Sequence, residues 1–180
     1  MIYFTSDLHF GHSNIIKLCN RPFASVDEMD AALTRNWNAT VKRNDEVYIL
    51  GDFTMKPAAE AHKYLAPLNG RKYLVRGNHD RFLNRLEEFE SDFVWVKDYH
   101  VLKRDGQAFV LFHYPILEWA GFFRGAIHLH GHVHNRETSN SRLAAGSGFA
   151  FNVGVDCNDF RPISIEDILL LAELEKENPK

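Results

Sequence analysis

Cysteine is scarce in this chain: two in 180 residues, at positions 19 and 157. So wide a pair matches neither a CxxC motif nor a disulfide framework, and it fits a reducing compartment. Long hydrophobic runs are missing too. None approaches the roughly 20 residues that cross a bilayer, and the opening MIYFTSD reaches an aspartate too soon for a secretory leader. A cytoplasmic protein with no membrane partner is therefore expected. An excess of one charge is absent as well, with 21 Lys and Arg against 24 Asp and Glu and a formal net charge of −3. That balance does not advertise a polyanion-binding surface, although it leaves nucleic acid open as a partner. There is no internal repeat. What is present, 45% hydrophobic and 25% charged residues, is the composition of one ordinary globular domain, taken as residues 1–180.

MIYFTSD reads as a strand running into a loop, and SNIIKLC as a short helix begun by Ser13. Ser25 and Glu28 form a capping box ahead of Met29, Leu33 and Trp37, which recur on one helical face. EVYILGD is a second strand. Pro57 starts a helix running to about Leu68, and RKYLVRGNHD is a third strand followed by a helix near 81–88. Strands dominate from Phe93, with Asp105-Gly106 as a hairpin turn. A loop is expected at 135–148, then a strand in FAFNVGVD. Ser164 and Asp167 cap a last helix. The class is mixed α/β.

One stretch stands apart. IHLHGHVHN places histidines at 128, 130, 132 and 134. In a strand that spacing aims all four at one side, which points to a metal because neutral imidazole is the commonest transition-metal ligand. Gly131 lets the strand end or the backbone approach closely. The other polar motifs also follow strands: Asp7 and His9 the first, Asp52 the second, Asn78, His79 and Asp80 the third, and His113 the AFVLF strand. Ligands of open α/β sheets bind at that edge. Imidazoles, carboxylates and an amide without thiolate suit manganese, iron, zinc, cobalt or nickel. Seven such positions exceed one tetrahedral ion and fit two ions about 3.5–4 Å apart sharing a carboxylate.

The ordered set DLH at 7–9, GD at 51–52, GNHD at 77–80, His113 and GHVH at 131–134 closely resembles the calcineurin-like metallophosphoesterases, in particular the small bacterial and phage members. The resemblance implies a four-layer αββα sandwich of two mixed β-sheets flanked by helices. It implies two divalent ions, manganese foremost. Asp7, His9 and His134 would hold one, Asn78, His113 and His132 the other, and Asp52 both. It further implies hydrolysis of phosphate esters by a metal-bridging hydroxide, with His79 as general acid. Asp80 is expected to orient the His79 imidazole. His130 is expected to support the ligands from behind, and His128 to be structural.

The expected substrate is a small phosphodiester such as a nucleotide. A monoesterase and a non-catalytic metal-binding scaffold of the same fold are the alternatives. Asp52 is followed by FTMKP rather than Asp-Arg-Gly, which sets the chain apart from the protein serine/threonine phosphatases. The aromatic stretch YPILEWAGFFRG after His113 is either a stacking surface or core. Arg21, Arg76, Arg124 and Arg161 are the candidate phosphate contacts.

Overall fold

The computed structural model describes residues 1–89, 91–136 and 149–177. The expected loop at 135–148 lies outside the described residues from 137 onward. Within them are nine strands: β1 (Ile2–Thr5), β2 (Glu46–Ile49), β3 (Arg71–Val75), β4 (Phe93–Lys97), β5 (His100–Arg104), β6 (Gln107–Leu111), β7 (Ile127–His130), β8 (Ala150–Asn152) and β9 (Ile163–Ser164). The helices are α1 (Ser13–Leu18), α2 (Val26–Thr40), α3 (Ala58–Leu65) and α4 (Ile165–Glu177).

The strands form two mixed sheets. The first has the order β4-β3-β2-β1-β9, parallel except for β9; the second is β5-β6-β7-β8, with only β5 antiparallel. Alternation along the strands divides the core. Phe4, Tyr48 and Tyr73 of the first sheet face Leu102, Phe109, Leu111, Ile127 and Leu129 of the second. Val47, Ile49 and Leu74 point the other way, under Met29, Leu33 and Trp37 of α2 and Ala61 and Leu65 of α3. The two-sheet sandwich with helices outside is the expected architecture. On the far face of the second sheet, segment 112–126 with one 3₁₀ turn (Phe122–Arg124) covers Val110 and Ala150. Among the described residues, no helix is long and apolar enough to cross a membrane.

Local chemistry explains the boundaries. Ser25 Oγ accepts the Glu28 amide at 3.1 Å, but Glu28 reaches back to the Ala24 amide rather than to that of Ser25. A Ser cap of this kind contributes about 1 kcal/mol. Pro57 caps α3, which stops at Leu65 instead of 68 because Pro67 has no N–H to extend it. Residues 81–89 are 3₁₀ turns broken at Arg85, not an α-helix. Asp105 and Gly106 both have positive φ, as the hairpin between β5 and β6 requires. Ser164 accepts the Asp167 amide and donates to its carboxylate at the start of α4.

Candidate metal centre

The C-terminal ends of β1, β2, β3, β6 and β7 converge on one crevice, so motifs spread over residues 7–134 become neighbours. Five predicted ligands hold a left-handed backbone: Asp7 (φ 57°), His9 (52°), Asp52 (54°), His132 (71°) and His134 (52°). Each costs roughly 1 kcal/mol or more for a residue with a side chain, and such strain persists where the surroundings impose it. Here the loops bind one another. The amides of Asp7 and His9 donate to the carbonyls of Gly51 and Asp52 at 3.0 Å. The His132 amide donates to Asp7 Oδ2 at 2.9 Å, and the His79 amide to Asp52 Oδ1 at 2.8 Å. Two glycines permit this approach. A Cβ on Gly131 would collide with Ser6 and Asp7, and one on Gly77 with Asp52.

The side chains gather in two groups. Ligand atoms of Asp7, His9 and His134 lie within 4.8 Å of one another, as do those of Asp52, His113 and His132. Asp52 Oδ2 sits between them, 3.6 Å from His9 Nε2 and 3.5 Å from His113 Nε2. Asn78 joins the second group, its Oδ1 3.0 Å from His113 Nε2. Both ring nitrogens of His9 are buried without a hydrogen-bond partner. A buried imidazole left unsatisfied twice over fits a ligand awaiting a cation. Burial presses the His9 pKa down to about 3, keeping it neutral and able to coordinate. Burial would raise Asp52, but the imidazoles of His113 and His9 and the His79 amide outweigh it and bring its pKa to about 2. These mixed N/O donors have the chemistry to hold a divalent transition metal.

The histidine row divides at Gly131. His128 and His130 lie on β7, buried. His128 donates from Nδ1 to the Val110 carbonyl at 3.1 Å and accepts the Ile116 amide at Nε2 at 3.4 Å, and so pins the covering segment. His130 contacts the Gly131 carbonyl at 3.1 Å, not a ligand side chain. His132 and His134 leave the strand in the left-handed conformation and turn into the crevice.

Other expectations need correction. Asp80 does not hold the His79 ring. Its carboxylate accepts the amides of Asp52 (2.9 Å), Phe53 (2.8 Å) and Gly77 (2.8 Å), lacing the second loop to the third. Arg21 is no phosphate contact. It is 4% exposed, pairs with Asp156 through Nε (2.8 Å) and Nη2 (2.9 Å), and donates to the Asp7 and Leu8 carbonyls. Of the other arginines, Arg76 pairs with Asp98 at 3.3 Å and Arg161 lies near Asp159 at 3.5 Å. Arg124 lies in the 3₁₀ turn on the far face of the second sheet.

Asp156 is the residue that motif reading missed. It accepts from His134 Nδ1 at 2.8 Å, the outer contact that fixes which imidazole nitrogen faces an ion. Its segment, NVGVD, is another strand end at this edge, and that position was the available signal. Burial would lower the His134 pKa, but Asp156 beside it pushes it up to about 10. A folded value above the ordinary 6.5 means this pair's stabilisation is complete below about pH 6.5 and lost as pH rises through about 10. Urea midpoints of metal-stripped protein should therefore fall across that window, and Asp156→Asn should flatten the fall. An unchanged slope in the variant would refute this account.

The likeness to known proteins runs along the whole site. Residues 1–159 match the family model for the calcineurin-like phosphoesterase superfamily domain. An uncharacterized protein of Methanocaldococcus jannaschii is 36% identical over 177 residues, covering 97% of this chain and 93% of that protein. The gene 66 protein of Mycobacterium phage D29 is 31% identical over 160 residues, covering 75% and 79%. A solved protein of unknown function from Aquifex aeolicus superposes with a TM-score of 0.75 at 32% identity, over 95% of this chain and 98% of its own. Sequence, fold and the loop-borne ligand groups agree: the chain belongs to the calcineurin-like phosphoesterase superfamily.

Proposed function

We propose that the chain is a two-metal phosphoesterase acting on small phosphodiesters such as nucleotides. The observation that carries this reading is the placement of Asp52 Oδ2 between one imidazole nitrogen of each ligand group, at 3.6 and 3.5 Å. Asp7, His9 and His134 would hold one ion, Asn78, His113 and His132 the other, and Asp52 both, with manganese the first ion to test. Two such cations supply charge neutralisation for the phosphoryl oxygens and lower the pKa of water.

The chain's own groups do the rest. His113 Nδ1 donates to the Leu50 carbonyl at 2.7 Å, and His134 Nδ1 to Asp156, so each presents Nε2 to the crevice. His79 is anchored by its amide on Asp52. Its ring stands 5.6 Å from that of His9, with Nδ1 unpartnered. From there it delivers a proton to the departing oxygen. The guanidinium of Arg21, spent on Asp156 and backbone carbonyls, offers nothing to the second charge of a monoester, which accords with a singly charged diester.

The test is hydrolysis of bis-p-nitrophenyl phosphate beside p-nitrophenyl phosphate, by metal-stripped protein given Mn²⁺. Turnover should require metal and favour the diester. His79→Ala should lower it about 10²- to 10⁴-fold with bound metal unchanged. Undiminished turnover in His79→Ala would remove the general acid, and cleavage of the monoester alone would make the protein a monoesterase.

A further inference from the structure

Aromatic side chains run outward from one flank of the metal centre. The ring of Tyr114 lies 4.6 Å from that of His132 and 4.9 Å from that of His113. Phe112 lies 5.5 Å from Tyr114, and Tyr99 lies 6.1 Å from Phe112. Phe112 and Tyr114 are partly exposed and Tyr99 is 39% exposed. None of the three is among the members of the apolar core clusters, whereas Trp119 and Phe122, from the same aromatic stretch, pack on the second sheet. Trp119 and Phe122 are therefore core, and Tyr114 is not. All three rings sit where β4 and β6 end, on the edge that carries the ligand loops.

The two flanks of the centre differ. His79 adjoins His9, a member of the first ligand group, while Tyr114 adjoins both imidazoles of the second. A diester has two arms, and only the leaving one needs a proton. The departing arm therefore points to His79 and the retained arm to Tyr114. Resting on the phosphodiesterase reading above, we infer that Tyr114, Phe112 and Tyr99 form a stacking shelf for the retained arm, and that this arm carries a planar aromatic group of the nucleobase type. Adjacent rings are tilted 57° to one another rather than stacked, so they are not closed into one pile. Stacking of a base on one such ring is worth about tenfold or more in affinity.

Three diesters with a common p-nitrophenyl leaving group test this: those of thymidine 5′-phosphate, phenyl phosphate and methyl phosphate. Wild-type kcat/KM should favour the thymidine ester over the methyl ester about tenfold or more, with the phenyl ester between them. Tyr114→Leu and Tyr99→Leu should each compress that ratio, mainly through KM. A shelf that only braces His132 predicts an equal fall for all three esters, and that result would overturn the proposal, as would a wild type indifferent to the arm. A phenyl ester equal to the thymidine ester would mean that any flat ring suffices and would overturn the nucleobase assignment. Calorimetric titration of thymidine 5′-monophosphate into Mn²⁺-loaded protein gives a readout independent of turnover. Binding weakened by Tyr99→Leu supports the shelf, and binding unaffected by it overturns the shelf. If no ester is cleaved, it is the phosphodiesterase reading that fails, and the titration still decides the shelf.

Discussion

Asp52→Asn is expected to lower phosphodiester turnover by at least about three orders of magnitude, equivalent to about 4 kcal/mol of transition-state stabilisation. The reasoning begins with one oxygen. Asp52 Oδ2 is within 3.6 Å of an imidazole nitrogen from each ligand group, so a neutral amide there weakens both groups at once. Asparagine is the informative replacement because it tolerates the left-handed backbone at this position (φ 54°) and can still accept the His79 amide. The fold should survive, since Asp80 bonds the Asp52 main chain rather than its carboxylate. Metal analysis after dialysis should find fewer than two ions per chain, with circular dichroism and melting close to wild type. Two retained ions with full turnover would sink the shared-ligand assignment.

The second large effect is on stability. Arg21→Met should destabilise the protein by about 3–5 kcal/mol, the usual result of removing one partner from a buried ion pair. The side chains of Arg21 and Asp156 are 0% and 2% exposed. Methionine fills similar volume but leaves the Asp156 carboxylate with His134 as its remaining partner. It also strips the Asp7 and Leu8 carbonyls of the guanidinium donors they accept at 2.7 and 3.0 Å. Urea denaturation of the metal-stripped variant and wild type reads this directly. A loss below about 1 kcal/mol would mean that water or a local rearrangement replaces the arginine.

The strands ending in Asp7, Asp52 and Asn78 were legible because each joins an apolar run to a polar motif, and a sheet edge collects such ends. The seven candidate ligands were legible for the same reason, and the structure brings all of them into one crevice. What escaped was whatever depends on contacts distant in sequence. Arg21 and Asp156 are 135 positions apart and neither belongs to a motif, so only folding reveals that they form one unit behind His134. Asp80 was misread because a neighbouring histidine suggests a side-chain partner, whereas its carboxylate faces three amides. Strand β9 is two residues long, too short to display alternation. The 3₁₀ turns at 81–89 lie in a stretch whose apolar spacing also suits an α-helix.

Strained, mutually laced loops also bear on how an ion is acquired. The left-handed turns at Asp7, His9, Asp52, His132 and His134 are held by hydrogen bonds among the loops themselves. Such a receptacle is cast in advance. Loading of an ion by such laced loops would then resemble exchange at a rigid chelator rather than the coupled folding of a zinc finger, which collapses when its ion is withdrawn.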